Sequence, residues 1–240
     1  MNLYGNDSVF ATDKKMLLRN HDIFTKLNDL EHEEVHLLHS VIEAKKGDYI
    51  YFESQYLNKI FFIKSGYIKI GYIDNNGNEI IKEILQAGEI FGQCALEQNS
   101  MNGEFALAYK NNVSLCAFTI DNFRKVLEKN NSVAIRYSQK VGNRLRRMEN
   151  RLMNMLYADV KTRLLRFFND IIQANYAAVS GNSIVLDNFL THKDIALLIG
   201  STRQTVTSVF NEQDIKQLVR ISKTHIVIPD IKAVKRMSAY

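Results

Sequence analysis

The chain has 240 residues, 46% hydrophobic and 24% charged. That is ordinary globular usage with length for one or two domains, and it excludes a disordered or fibrous chain. No uncharged run approaches the ~18 apolar residues of a membrane span, residues 1–19 do not read as a signal peptide, and two cysteines cannot build a disulfide framework or a four-thiolate metal site, so the expectation is a cytoplasmic protein with no membrane partner. The net charge of +5 is unevenly spread: −5 over residues 1–120, +6 over 121–157 and +4 over 158–240. A basic back half suggests a polyanionic partner.

In chain order, residues 27–42 read as a short helix with an apolar face of Leu27, Leu30, Val35, Leu38, Val41 and Ile42. It carries His32-Glu33-Glu34-Val35-His36, which fits the zinc-hydrolase pattern of two histidines and a general-base Glu, with His39 one turn on as a third ligand. A helical wheel gathers His32, His36 and His39 on the polar edge, which reads as solvent-facing. Such an edge is at most a weak surface metal site, and no metal is expected.

Seven of the eleven glycines fall between Gly47 and Gly103. Between them lie short runs rich in Ile, Phe and Tyr, at 49–52, 60–63, 67–73 and 80–85. Ile68, Ile70 and Tyr72 alternate with Lys69 and Gly71, the period of a half-buried strand. Asp74-Asn75-Asn76-Gly77-Asn78 then supplies a hairpin turn. The spacing predicts an antiparallel sandwich or barrel. Cys94 and Cys116 lie in strand-like runs and read as packing residues.

After Thr119 the period becomes helical. Ala134, Ser138, Val141, Leu145, Met148, Leu152 and Met155 recur at alternating spacings of four and three, flanked by Arg144, Arg146, Arg147 and Arg151. This narrow apolar seam on a basic helix over 121–156 predicts a homodimer. A further helix follows over 159–173, then a loop over 175–182 and a short strand at 184–186.

Residues 192–211, HKDIALLIGSTRQTVTSVFN, read as a helix-turn-helix. Ile195, Ile199, Val206 and Val209 are its apolar positions, Ala196 marks the crossing and Gly200 the turn. Thr191 with Asp194 caps the first helix, and Ser201-x-x-Gln204 matches a capping box for the second. In a major groove, Arg203, Gln204 and Ser208 would read bases. Thr191, Thr202 and Thr205 have hydroxyls suited to phosphates. Runs at 218–221 and 225–228 predict a wing that brings Arg220 and Lys223 to the backbone.

Through these residues the sequence resembles the Crp/Fnr family of bacterial transcription regulators over roughly residues 24–228. The resemblance rests on Lys46-Gly47-Asp48, Phe62-Ile63-Lys64-Ser65-Gly66 and Ala87-Gly88-Glu89-Ile90-Phe91-Gly92, and continues through Asp159-Val160 and the helix-turn-helix around Gly200. It implies an α+β chain with an N-terminal antiparallel β-roll (jelly-roll) sensor domain over 1–120, a dimerisation helix over 121–157, and a C-terminal winged helix-turn-helix over 158–240. The partners implied are double-stranded DNA at a near-palindromic site and a second copy of the chain, with RNA polymerase a candidate.

The family's cyclic-AMP signature is broken. Where binders carry a ribose-holding Glu this chain has Gln93, and their phosphate-holding Arg-Ser pair aligns with Glu104 and Phe105. Their purine-contacting Thr-Ser pair aligns with Met148-Glu149. A carboxylate facing a phosphodiester repels it, so control by cyclic AMP is not expected. Gln93, Cys94, Glu104, Phe105 and Arg144 are the candidate effector-pocket residues, with the effector unspecified. An iron–sulfur cofactor lacks its N-terminal cysteines, and no cofactor is expected. The reading is a DNA-binding regulator rather than an enzyme. The alternatives are a sensor or partner-binding protein without DNA, and a zinc hydrolase through His32, Glu33 and His36.

Overall fold

The computed structural model describes residues 18–19, 21–52, 57–96 and 103–239, so the opening segment read against a signal peptide lies largely outside it. Internal contacts divide the chain into two units, Met1–Leu145 and Arg146–Tyr240.

The first unit opens on α1 (Asp29–Leu37), started by a reciprocal cap in which Asn28 and Glu31 each accept the other's backbone N–H. The expected helix to residue 42 stops there. Val41 and Ile42 belong instead to β1 (His39–Ala44), facing Cys116 and Leu115 across an antiparallel pair. These β-branched residues gain more from a sheet neighbour than from another helical turn. Of the expected apolar face, Leu30 is in water at 76% exposure, whereas Leu27 and Val35 are buried and Leu38, Val41 and Ile42 pack half-buried against the cores.

The strands β2 (Tyr49–Phe52), β3 (Lys59–Ile73), β4 (Glu79–Gln86), β5 (Ile90–Gly92) and β6 (Glu104–Thr119) complete an antiparallel six-stranded sheet. The runs expected at 60–63 and 67–73 are one strand, β3. It pairs with β6 from Lys59↔Thr119 to Tyr72↔Glu104. Ile60 to Ile63 are buried on both sides, Ile60 and Phe62 in one core and Phe61 and Ile63 in the other, because successive strand side chains alternate faces. The hairpin at 74–78 forms as expected, with the Asp74 carboxylate accepting the backbone N–H of Asn76 and Asn78. Lys69, which alternates with the apolar residues of that strand, is itself buried; its ammonium lies 3.5 Å from Glu79 and over the Tyr109 ring.

The single helix expected over 121–156 is two, α2 (Ile120–Lys129) and α3 (Asn131–Tyr157). Asn130 breaks them. Its side-chain amide and its backbone N–H both donate to the Val126 carbonyl, while its own carbonyl accepts from Val133 and Ala134, a side chain competing with the helix for backbone partners. Val133 and Tyr137 of α3 are buried in the core built on Phe24, Phe62, Phe118 and Phe123.

In the second unit, α4 (Val160–Ala174) is capped by Asp159 and buries Leu164, Leu165, Phe168, Ile171 and Ile172. A four-stranded sheet in the order β7-β8-β10-β9 follows, made of β7 (Val179–Ser180), β8 (Ser183–Asp187), β9 (Arg220–Ile221) and β10 (His225–Ile228). Between β8 and β9 come α5 (His192–Ile199), α6 (Arg203–Asn211) and α7 (Gln213–Leu218), and α8 (Ile231–Ser238) closes the unit. Leu218, expected in the wing, ends α7 instead and is buried there.

Candidate nucleic-acid interface

The two helices of the helix-turn-helix are held by their caps and by one apolar seam. Thr191 accepts the N–H of Asp194, whose carboxylate accepts the N–H of Thr191 in return. Gly200 turns the chain at φ 66°, ψ 53°, a left-handed conformation that strains a residue with a Cβ. Ile195, Ala196, Ile199, Val206 and Val209 are all buried between the helices and the rest of the unit.

The cap of α6 differs from expectation. Thr202, not Ser201, is the N-cap and accepts the N–H of Thr205 at 3.1 Å. Gln204 is therefore released from capping. It lies exposed with Arg203, and Ser208 is exposed one turn further along the same helix. Among the described residues, no side-chain hydrogen bond or ion pair ties up Arg203, Gln204 or Ser208. One helical face thus offers a forked donor, an amide and a hydroxyl to a ligand.

Sequence reasoning missed what steadies that helix. His192 stacks on Phe210 with ring centroids 5.0 Å apart, and its Nδ1 lies 3.0 Å from the Thr207 hydroxyl. Thr207 in turn donates to the Arg203 carbonyl at 2.8 Å. Burial, then the nearby Arg203 charge, lowers the His192 pKa. The 15-residue separation of His192 and Thr207 hides this contact from any local pattern.

The backbone-contact candidates divide. Thr191 is corrected: its hydroxyl donates to the Asp194 carboxylate at 2.7 Å, so no proton remains for a phosphate. Thr202 and Thr205 share one hydrogen bond between their hydroxyls, which leaves one hydroxyl proton between them. Arg220 is exposed on β9, its Nε donating to the Lys216 carbonyl. Lys223 is exposed in the tight turn to β10, which is closed by the Ser222 N–H on the His225 carbonyl.

Along α3 the apolar seam changes character. Val141 packs partly buried against the first unit's core. Leu145 and Leu152 are each 58% exposed, and Met148 and Met155 are 37% and 38% exposed. Leu156 and Tyr157 extend the exposed apolar surface.

The effector-pocket candidates come together inside the roll, joined by residues the sequence did not single out. Glu104 is buried and accepts from Tyr51 at 2.8 Å, Tyr72 at 3.2 Å and the Lys82 ammonium at 2.8 Å. Burial works against the Lys82 charge, but the Glu104 carboxylate outweighs it and holds the Lys82 pKa above its usual value. Arg144 forks onto both carboxylate oxygens of Glu83 and also donates to the Ile90 carbonyl at 3.1 Å. The Cys94 sulfur lies 3.5 Å from Arg144, and the Cys94 carbonyl accepts from Tyr137 of α3. Burial raises the Cys94 thiol pKa despite that cation. Gln93 is buried nearby. Phe105 is fully buried below Gly71, where a Cβ would come within 2.9 Å of its ring. Strand pairing sets Tyr72 opposite Glu104 and Glu83 opposite Ile70, a juxtaposition of residues 13 to 32 apart that only the register reveals.

The histidines are corrected as well. His32, His36 and His39 are half-buried rather than solvent-facing, and His39 stands on β1, not on the helix. His36 meets His39 edge-on at 5.1 Å, and His39 lies against Phe118 at 5.3 Å. Among the described residues no group of three or more His, Cys, Asp or Glu is placed to hold a metal ion, and no helix is long and apolar enough to cross a membrane.

Residues 41–130 match the family model of the cyclic nucleotide-binding domain, and residues 162–237 match that of the Crp-like helix-turn-helix domain. Between them they take in more than half of the chain. The chain belongs to the Crp/Fnr family. A global nitrogen regulator of Synechococcus elongatus is 25% identical over 89% of this chain and 95% of its own. A CRP-like cAMP-activated global transcriptional regulator of Mycobacterium tuberculosis is 21% identical over 81% of this chain and 86% of its own. Among solved structures, a CooA variant from Carboxydothermus hydrogenoformans aligns with a TM-score of 0.70 at 20% identity, covering 93% of this chain and 95% of that one, a likeness of fold. As a Crp/Fnr member the chain is a transcription regulator with a DNA-binding helix-turn-helix.

Proposed function

We propose that this Crp/Fnr protein is a homodimer that reads a near-palindromic promoter site without cyclic AMP, in the cytoplasm and with no catalytic activity. Residues 1–120 form the effector-side roll, 121–157 the dimerisation segment and 158–240 the DNA-reading domain. The observation that carries the reading is the face of α6, where Arg203, Gln204 and Ser208 are exposed and uncommitted. Arg203 reads a guanine through O6 and N7, Gln204 an adenine through N6 and N7, and Ser208 a third base edge. Thr202, Thr205, Arg220 and Lys223 hold the phosphates and set the register.

The exposed seam of Leu145, Met148, Leu152 and Met155 supports a dimer, because four large apolar side chains at heptad spacing gain free energy when a second copy covers them. Two reading helices then meet half-sites about one DNA turn apart. RNA polymerase is the partner such a regulator addresses at a promoter. Independence from cyclic AMP is supported by Glu104, whose negative charge stands where the family's phosphate-holding Arg aligns.

The test is selection from a random duplex pool by full-length protein, without ligand and with cyclic AMP. A palindrome recovered in both arms, with affinity falling steeply with salt as phosphate contacts release counterions, is the expected result. Recovery only with cyclic AMP would reject ligand independence. Recovery of nothing in either arm would favour a sensor that works without DNA.

A further inference from the structure

Two cations at the candidate effector pocket, Lys82 of β4 and Arg144 of α3, are each paired with a carboxylate of the same chain. In the Arg144–Glu83 pair the side chains are 15% and 16% exposed, and Glu104, which holds Lys82, is 2% exposed. We propose that Glu83 and Glu104 are built-in anions that stand in for a soluble effector. The Arg144–Glu83 clasp ties β4 to α3, so the helix bearing the dimer seam is held in its DNA-competent arrangement with nothing bound. This inference rests on the DNA-binding reading above.

Every nitrogen of the Arg144 guanidinium is engaged: Nε and Nη2 on Glu83, and Nη1 on the Ile90 carbonyl beside the Cys94 sulfur. A planar fork matched to a carboxylate in this way is the strong form of the charged pair. Its side-on edge, the Nε–Nη2 pair, is closed to an incoming anion. Lys82, Arg144, Glu83 and Glu104 together carry no net charge, and Glu89 adds a negative field at Arg144. An anionic effector would have to part a half-buried ion pair and leave one charge without its partner, which is costly where water reaches the charges only in part.

The clasp is the last of several ties along one stretch of α3. Tyr137, seven residues earlier, donates to the Cys94 carbonyl, Lys140 pairs with Asp22, and Arg136 reaches the Asp22 carbonyl and the Thr25 hydroxyl. Residues seven apart share a helix face, so Tyr137 and Arg144 fasten the same side of α3 to the segment around β5. α3 then continues unbroken into Leu145, Met148, Leu152 and Met155.

The experiment uses the dialysed full-length chain and the duplex recovered by the selection. Without ligand, the wild type binds that duplex. Glu83→Gln keeps the shape and removes the charge, and it binds at least about tenfold more weakly, a typical size for coupling between sites. Glu83→Ala binds more weakly still and regains affinity in acetate, which refills the carboxylate position, but not in chloride at equal ionic strength. Amide exchange across residues 136–144, read without DNA, speeds up in both variants and slows with acetate in Glu83→Ala.

Unchanged affinity and exchange in Glu83→Gln would overturn the proposal. So would a wild type that binds the duplex only when cyclic AMP is added, or an equal rescue by chloride. If the pool yields no duplex at all, the DNA-binding reading fails, while the exchange measurement still decides whether Glu83 clasps α3.

Discussion

The recognition helix and the interior of the roll both concentrate polar side chains, yet they treat them in opposite ways. On α6, Arg203, Gln204 and Ser208 point into water with no partner among the described residues. In the roll, Glu104 collects three donors and Arg144 engages all of its nitrogens. The difference follows from the surroundings. An exposed polar group loses little while it waits, because water satisfies it and is released when a base edge arrives. A buried one left waiting would forfeit its desolvation free energy. A site meant for a large external partner is therefore kept open, whereas an interior cluster of charges must be completed by the chain itself or by a ligand. Here the chain completes it.

The largest expected effect separates the two regions by stability. Phe118 is fully buried and packs its ring against Phe24, Phe62 and Phe123. Phe118→Ala should cost the first unit about 3–5 kcal/mol. Urea unfolding followed by a probe in each unit should show the roll's transition moving while that of residues 146–240 stays. Transitions that shift together would show that the two regions fold as one.

Next, Arg203→Ala should remove about 1–3 kcal/mol of discrimination per half-site and leave the unfolding transition in place. Titration of the selected duplex and of one with the contacted base pair exchanged checks it. Equal losses on both duplexes would make Arg203 a phosphate contact. Gly200→Ala should destabilise the second unit by about 1–2 kcal/mol, the cost of a left-handed L-residue. The crowding added by the new Cβ, 3.1 Å from the Met155 methyl, is modest because that side chain is flexible. Thermal unfolding of the variant reads the loss, and an unchanged midpoint would show that the turn relaxes away from φ 66°.

The smallest effect is one of pH. His21 is buried against Phe24 and Phe62, and burial lowers its pKa against the opposing hydrogen bond to Asp22. The folded chain therefore takes up the proton less readily than the unfolded one. Its stabilising contribution is complete above the unfolded value of about 6.5 and is lost as the pH falls through the lower folded value. Denaturant titrations at successive pH values from 7.5 downward (a range of about two units around that value) should show a steeper decline for the wild type than for His21→Leu. Parallel declines would place the titrating group elsewhere.

Local chemistry made much of the reading domain legible. The Thr191–Asp194 cap, the left-handed Gly200 and the apolar spacing of Ile195, Ile199, Val206 and Val209 all act within a few residues, and the helices formed where they pointed. The choice between Ser201 and Thr202 as cap was not legible, because both hydroxyls suit the position and one step of backbone decides which accepts an N–H. The resemblance to Crp/Fnr regulators was legible for the same reason, since its motifs are short and contiguous.

What the sequence by itself determined, then, is most of the kinds of element in the chain, the family, and the place of the helix-turn-helix. Tertiary structure alone decided that His39 stands on a strand, that Lys69 is buried, and that Glu104 is held by Tyr51, Tyr72 and Lys82 while Glu83 holds Arg144. The physical reason is register. In a sheet, the face on which a side chain emerges and the residue it meets depend on pairing with a distant strand, and one step of slippage reverses every face. Helix caps and turns carry their partners with them in the sequence; cross-strand clusters acquire theirs only when the sheet closes.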